Sequence, residues 1–242
     1  MTAEPPTDPL KLFEPREYVA DSGEVLKYRL LKPADFDPDK KYPLVVFLHG
    51  AGERGDDNSA QLVHCMSEFC TAERRQQYPC YVLAPQCPTE QKWADVDWTS
   101  DKPDFPEQIS RSLNLTMQVV EAMLADAAVA KNRVYIAGLS MGGYGTWDAL
   151  ARRPELFAAA IPICGGASVE QVRAFKHIPL WCFHGSADNV VNVERSRELI
   201  AALKAAGGEP RYTEYPEVGH NSWTQTFASE ETFQWLFQQK RQ

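Results

Sequence analysis

The chain has 242 residues, of which 44% are hydrophobic and 24% charged; these are the proportions of a folded globular protein and exclude a disordered, collagen-like or fibrous one. Its 25 Lys and Arg against 33 Asp and Glu leave a formal charge of −8, which disfavours nucleic acid and anionic membrane surfaces as partners. No run approaches the roughly 20 apolar residues of a spanning helix. Met1 to Pro15 also lacks the basic-then-apolar profile of an export signal, so a cytoplasmic protein is expected.

The first 15 residues hold four prolines, Pro5, Pro6, Pro9 and Pro15, and are expected as an extended or disordered lead-in to a single domain over residues 16–242. Strand-like runs at Glu17–Ala20 and Glu24–Leu31 are joined by Asp21-Ser22-Gly23, a short polar connection suited to an antiparallel hairpin. Beyond them come continuous apolar runs at Leu44–Leu48, Cys80–Ala84, Val134–Ala137, Ala158–Ile163, Leu180–Phe183 and Arg211–Tyr215. Helical periodicity falls between or after these runs, at Glu107–Ala128, Met141–Arg152, Val193–Ala206 and Trp223–Gln238. The alternation predicts an α/β fold, an eight-stranded, mostly parallel sheet covered by helices on both faces. Six cysteines are too few for a disulfide scaffold and read as structural thiols.

The run Val134–Ala137 leads directly into Gly138-Leu139-Ser140-Met141-Gly142, a G-x-S-x-G placed between strand and helix. Such an elbow strains the Ser backbone, and the positions two before and two after must be small for strand and helix to approach. A serine hydroxyl is a poor nucleophile unless an imidazole takes its proton and a carboxylate orients that imidazole. Asp188 follows the run Leu180–Phe183, and His220 follows Arg211–Tyr215. Each residue alone reads as a turn carboxylate or a surface histidine. The order Ser140, Asp188, His220, each just after a strand, instead matches the α/β-hydrolase arrangement. Asp95 and Asp97 lie upstream of Ser140 and do not fit that order.

Two backbone N–H groups must meet the oxyanion that such chemistry creates. Met141, next to the nucleophile, is the first candidate, and Ala51, in the glycine-rich stretch His49-Gly50-Ala51-Gly52-Glu53-Arg54-Gly55, is the second. This stretch lacks the lysine and spacing of a nucleotide loop. His64, Cys65 and Cys70 have no partners at metal-ligand spacing, so no metal and no cofactor is expected. A long loop, Pro85–Pro106, carries Trp93 and Trp98 with four aspartates, Asp95, Asp97, Asp101 and Asp104. It leaves the carboxyl end of a strand, where open sheets bind ligands. Trp93, Trp98, Trp223 and Tyr144 are candidate substrate-binding residues, whereas Trp147 is expected in the core. The interval Cys164–Pro179 has 16 residues, too few for a cap domain over the site.

The segments Phe47–Gly55, Leu83–Pro88, Gly138–Trp147, Phe183–Asp188 and Gly219–Trp223 together resemble the bacterial phospholipase/carboxylesterase-like serine hydrolases, whose relatives include prolyl-oligopeptidase-type peptidases and often exported enzymes. The resemblance spans about residues 17–238 and implies the α/β-hydrolase fold, a Ser-His-Asp triad and a small-molecule ester substrate. A serine peptidase and a catalytically silent binding protein on the same fold are the alternatives. Neither the alcohol half of the substrate nor the oligomeric state is legible in the residues.

Overall fold

The computed structural model describes residues 8–98, 100, 104–125 and 128–241. In chain order the strands are β1 (Phe13–Val19), β2 (Val25–Leu31), β3 (Tyr42–Leu48), β4 (Tyr81–Pro85), β5 (Val129–Leu139), β6 (Ala159–Ile163), β7 (Trp181–Gly185) and β8 (Arg211–Tyr215). The helices are α1 (Ala72–Gln77), α2 (Arg111–Ala125), α3 (Met141–Arg152), α4 (Val172–Phe175), α5 (Glu194–Ala205), α6 (Trp223–Ala228) and α7 (Glu230–Gln238). The eight strands form one sheet in the order β1-β2-β4-β3-β5-β6-β7-β8. The β1–β2 and β2–β4 pairs are antiparallel, and every pair from β4 to β8 is parallel.

The period of two along the strands divides the apolar side chains between two cores. Leu44, Val46 and Leu48 of β3, with Val134 and Ile136 of β5, face a core that includes α2, α3 and α5 through Leu113, Trp147 and Leu199. Val45 and Phe47, with Tyr135 and Ala137, face the other, which α6 and α7 close with Phe227, Phe233 and Phe237. Strands covered on both faces have no polar side to present, which is why β3 and β4 are buried from end to end. This is the α/β-hydrolase architecture.

The structure moves several of the expected boundaries. Residues 1–7 of the lead-in, and Asp101 of the long loop, lie outside the described residues. Pro9–Leu12 forms a 3-10 turn, and β1 then starts at Phe13, whose ring is fully buried. Pro15 is tolerated within β1 because that strand ends the sheet, where a missing N–H breaks no ladder. Helix α2 begins at Arg111 because the Ser110 hydroxyl accepts the Leu113 N–H at 3.2 Å, a cap that ends the preceding loop. The apolar period over 223–238 is continuous, yet Ser229 is extended and divides α6 from α7. Arg74 of α1 donates to the carbonyls of Phe227 and Ala228 at 2.8 Å each and so takes up the terminal acceptors of α6. Between β6 and β7 there is only a 3-10 turn (Val169–Gln171) and the four-residue α4, so no cap domain stands there.

Candidate active site

Ser140 sits between β5 and α3 with φ 53° and ψ −117°, a backbone conformation that is strained for a residue with a Cβ. Its N–H is tied to the Ile163 carbonyl at 3.0 Å. A Cβ at Gly138 would lie 2.3 Å from the Gly142 carbonyl oxygen, and one at Gly142 would lie 1.9 Å from that of Leu48. The small residues that flank the serine are thus required by contact, as the motif implied.

Asp188 lies in the turn after β7 and His220 in the loop after β8. The His220 Nδ1 lies 2.7 Å from Asp188 Oδ2, and Nε2 lies 2.9 Å from Ser140 Oγ. A carboxylate can only accept, so Nδ1 carries the hydrogen and Nε2 is left to accept from the serine hydroxyl. The Asp188 side chain is inaccessible to solvent. Burial works against its charge, but hydrogen bonds from His184 and His220, and from the N–H groups of Val191 and Val190, outweigh it and hold the carboxyl well below the usual range.

Ala51 and Met141 are each the first residue of a helical turn, where an N–H has no intrahelical acceptor. The orientation of the first is set by a residue that motif reading passed over. His49, 2% exposed, accepts the Cys87 N–H at Nε2 (2.9 Å) and its Nδ1 lies 2.6 Å from the Gly50 carbonyl. With Nε2 accepting, Nδ1 donates, and the Gly50 carbonyl belongs to the same peptide group as the Ala51 N–H. Pinning one end of a trans peptide fixes the direction of the other. Burial lowers the His49 pKa to about 4, against a smaller opposing effect of the Gly50 bond, and so keeps the ring neutral.

The aromatic candidates separate. Trp93 has no exposed surface: its Nε1 donates to the His49 carbonyl at 2.9 Å and its ring meets the His49 ring edge-on at 5.1 Å. It is a prop beneath the loop that carries Ala51, not a wall of the cleft. Tyr144 is 1% exposed and packs with Ala94 and Val96 of the long loop and Val191 of the segment after β7, which cover its ring. Trp98 is half-buried, with Lys92 Nζ 4.6 Å from its ring centre. Trp223 stands perpendicular to the His220 ring at 5.3 Å, beside the reacting groups. Trp147 is in the core. Asp95 and Asp97 are exposed, and neither is a partner in the hydrogen bonds of His220.

Among the described residues, one set of donors has metal-ligand proximity: Cys164 Sγ, an Asp188 oxygen and a His220 nitrogen lie within 4.8 Å of one another. Asp188 and His220 are already bonded to each other, and burial pushes the Cys164 thiol up, which keeps it protonated. The six cysteines are all free thiols. No helix among the described residues is long and apolar enough to cross a membrane.

A sharp strand-to-helix turn bearing a serine, with histidine and aspartate on later strand ends of a mostly parallel sheet, defines the class of serine-centred α/β-hydrolases. Residues 37–235 match the phospholipase/carboxylesterase family, and the chain belongs to this family. A solved thermostable esterase is similar at 42% identity with a TM-score of 0.88, over 96% of this chain and 64% of that one. Lysophospholipase-like protein 1 of Mus musculus is 27% identical, over 73% of this chain and 79% of its own length. An uncharacterised secreted protein of Arthroderma benhamiae is 26% identical over 83% of this chain, and the bifunctional acetylxylan esterase/xylanase XynS20E of Neocallimastix patriciarum 24% identical over 74%. The chain spans only 24% of the length of each of these last two.

Proposed function

We propose that this protein is a serine carboxylesterase that cleaves short-acyl esters through an acyl-enzyme. Ser140 is the nucleophile, His220 the general base and then acid, Asp188 the carboxylate that orients it, and the Ala51 and Met141 N–H groups form the oxyanion hole. The observation that carries the reading is the unbroken chain of hydrogen bonds from Ser140 through His220 to Asp188, at 2.9 and 2.7 Å.

In the first half-reaction, Ser140 Oγ attacks the ester carbonyl as its proton passes to His220 Nε2. The carbonyl oxygen becomes an oxyanion facing the two N–H groups, which lie at the positive end of α3 and at the turn after β3. Collapse breaks the bond to the alcohol oxygen, which leaves with the proton from His220. Water then attacks the acyl-serine, gives a proton to His220 Nε2, and the acid departs as that proton returns to Ser140. The buried Asp188 carboxylate stabilises the imidazolium formed at each step.

Short acyl groups follow from the absence of a cap between β6 and β7, since a long chain would find little apolar surface to cover it. A carbohydrate-like alcohol half is supported by the acetylxylan esterase among the relatives and by the half-buried Trp98. The reading is tested by treating wild type and Ser140→Ala with a fluorophosphonate and measuring intact mass. A single adduct on the wild type and none on the variant is expected, with esterase kcat lowered by about 10⁶. An adduct on the variant would place the nucleophile elsewhere. Turnover of a matched ester and amide separates esterase from peptidase.

A further inference from the structure

The carboxyl end of β7 holds a second histidine, which the proposed chemistry does not use. His184 is fully buried. Its Nε2 lies 2.9 Å from the Val191 carbonyl oxygen and 3.2 Å from Asp188 Oδ2, and its Nδ1 lies 2.7 Å from Ser196 Oγ. A carbonyl and a carboxylate both accept, so Nε2 carries a hydrogen, which it donates to the Val191 carbonyl with Asp188 Oδ2 alongside. The Ser196 hydroxyl, also fully buried, meets the other nitrogen and has the Cys182 thiol 3.4 Å behind it. The ring is therefore held at both ends, by α5 on one side and by the turn after β7 on the other.

The two oxygens of Asp188 are held differently. Oδ1 accepts the N–H groups of Val190 and Val191 at 2.8 and 3.0 Å, bonds that the local turn provides by itself. Oδ2, the oxygen that faces His220, has the His184 ring beside it, with Nε2 at 3.2 Å, while the Nε2–H itself is donated to the Val191 carbonyl of the same turn. The turn that carries the carboxylate is thus pinned by a residue four positions before Asp188, whose ring also stands against the catalytic oxygen.

We propose that His184 is a positioning residue for ester hydrolysis: its Nε2–H, donated to the Val191 carbonyl, pins the turn that holds Asp188, and its ring, kept in register by Ser196, stands against Oδ2 and keeps that oxygen on the line to His220 Nδ1. The inference rests on the triad assigned above. It differs from a packing role, because a residue that only fills space beneath β7 would alter stability and leave turnover of the folded molecules alone. Glutamine is the informative replacement, as its amide nitrogen can bring an N–H to the place where the imidazole Nε2 stood.

The test uses His184→Ala, His184→Gln and Ser196→Ala, the first two also combined with Asp188→Asn. Turnover of a short-acyl nitrophenyl ester is measured per active site titrated with fluorophosphonate, and Tm is recorded in parallel. His184→Ala is expected to lower kcat about 10–100-fold with KM within twofold, since displacing a catalytic group by about 1 Å costs this much. His184→Gln should recover most of the loss, and Ser196→Ala should lose about 3–10-fold, by the smaller displacement it permits. In the Asp188→Asn background the His184 substitutions should have little additional effect, as coupled residues do. If His184→Ala does not fold, the Gln and Ser196 variants carry the test. Normal kcat per titrated site in the folded variants, equal losses for Ala and Gln, or losses that persist undiminished in the Asp188→Asn background would each overturn the proposal. Full activity of Asp188→Asn alone would overturn the triad reading itself and this inference with it.

Discussion

His49 links a single buried ring to both activity and acid stability. Its pKa falls from about 6.5 in the unfolded chain to about 4 in the folded one, so between those values the unfolded state binds the extra proton. Stability is therefore complete above about pH 6.5 and is lost as the pH falls through about 4, by at most about 3 kcal/mol. The Asp188 carboxyl is also depressed, so its contribution is present above the ordinary carboxylate value and disappears in more acidic solution. His49→Gln is expected to flatten the upper part of the decline in Tm, between about pH 6.5 and 4, while leaving the lower part; a parallel decline in both proteins would mean that His49 titrates normally. The same variant should lower kcat more than it raises KM, because in the proposed oxyanion hole the Ala51 N–H contributes chiefly in the transition state. Asp188→Asn leaves an amide beside His220 that can present its hydrogens to Nδ1 and favour the wrong tautomer. A loss of about 10⁴ in kcat at neutral pH is expected, together with a lower Tm because the stability held by the depressed carboxylate is lost, and a normal rate would require another acid.

Arg74 acts between elements. It belongs to α1, yet its guanidinium bonds to Glu68, caps the end of α6 at Phe227 and Ala228, and lies 4.0 Å over the Phe233 ring of α7. Its side chain is only 11% exposed, so deleting it removes the donor from the carbonyl of the buried Phe227 and the cation packed on Phe233, whereas the exposed Ala228 and part-exposed Glu68 can turn to water. Arg74→Ala is expected to cost about 2–3 kcal/mol and to lower Tm by roughly 4–12 °C in a domain of this size. Thermal unfolding of the two proteins checks this, and a shift below about one degree would show that the α6 terminus is satisfied without the arginine. Because α6 starts at Trp223, which stands against the His220 ring, the same joint links the rear of the molecule to the site.

The parallel strands bring Ser140, Asp188 and His220 to the carboxyl ends of β5, β7 and β8, the end of the sheet that the long loop after β4 also leaves. The β6–β7 crossover carries only the 3-10 turn at Val169–Gln171 and α4, so this crossover adds no cap, and the proposed site is taken as open. The expected outcome is a maximum rate on nitrophenyl acetate or butyrate, a decline toward longer acyl chains, and no jump in rate as substrate passes its micelle threshold. A maximum at long chains, or activation at the interface, would contradict the open cleft.

Features that depend on neighbours along the chain were legible in the order of residues. Continuous apolar runs announce strands buried on both faces, glycines two residues either side of Ser140 announce the close approach of β5 and α3, and the loops holding Asp188 and His220 follow their strands directly. Other features became visible only in the folded molecule, because they turn on partners distant in the chain. An indole in a proline-rich loop reads alike above or beneath a cleft, and only the His49 carbonyl, 44 residues away, draws Trp93 under it. Nothing near Ser229 announces the break between α6 and α7, since the arginine that takes the α6 carbonyls is more than 150 residues earlier. His184 and His49 stand beside glycines in short motifs, where a histidine carries no mark of its role. That role arises when folding removes water from the ring and leaves each nitrogen facing a partner of definite polarity, since a buried imidazole must then place its hydrogen where an acceptor waits.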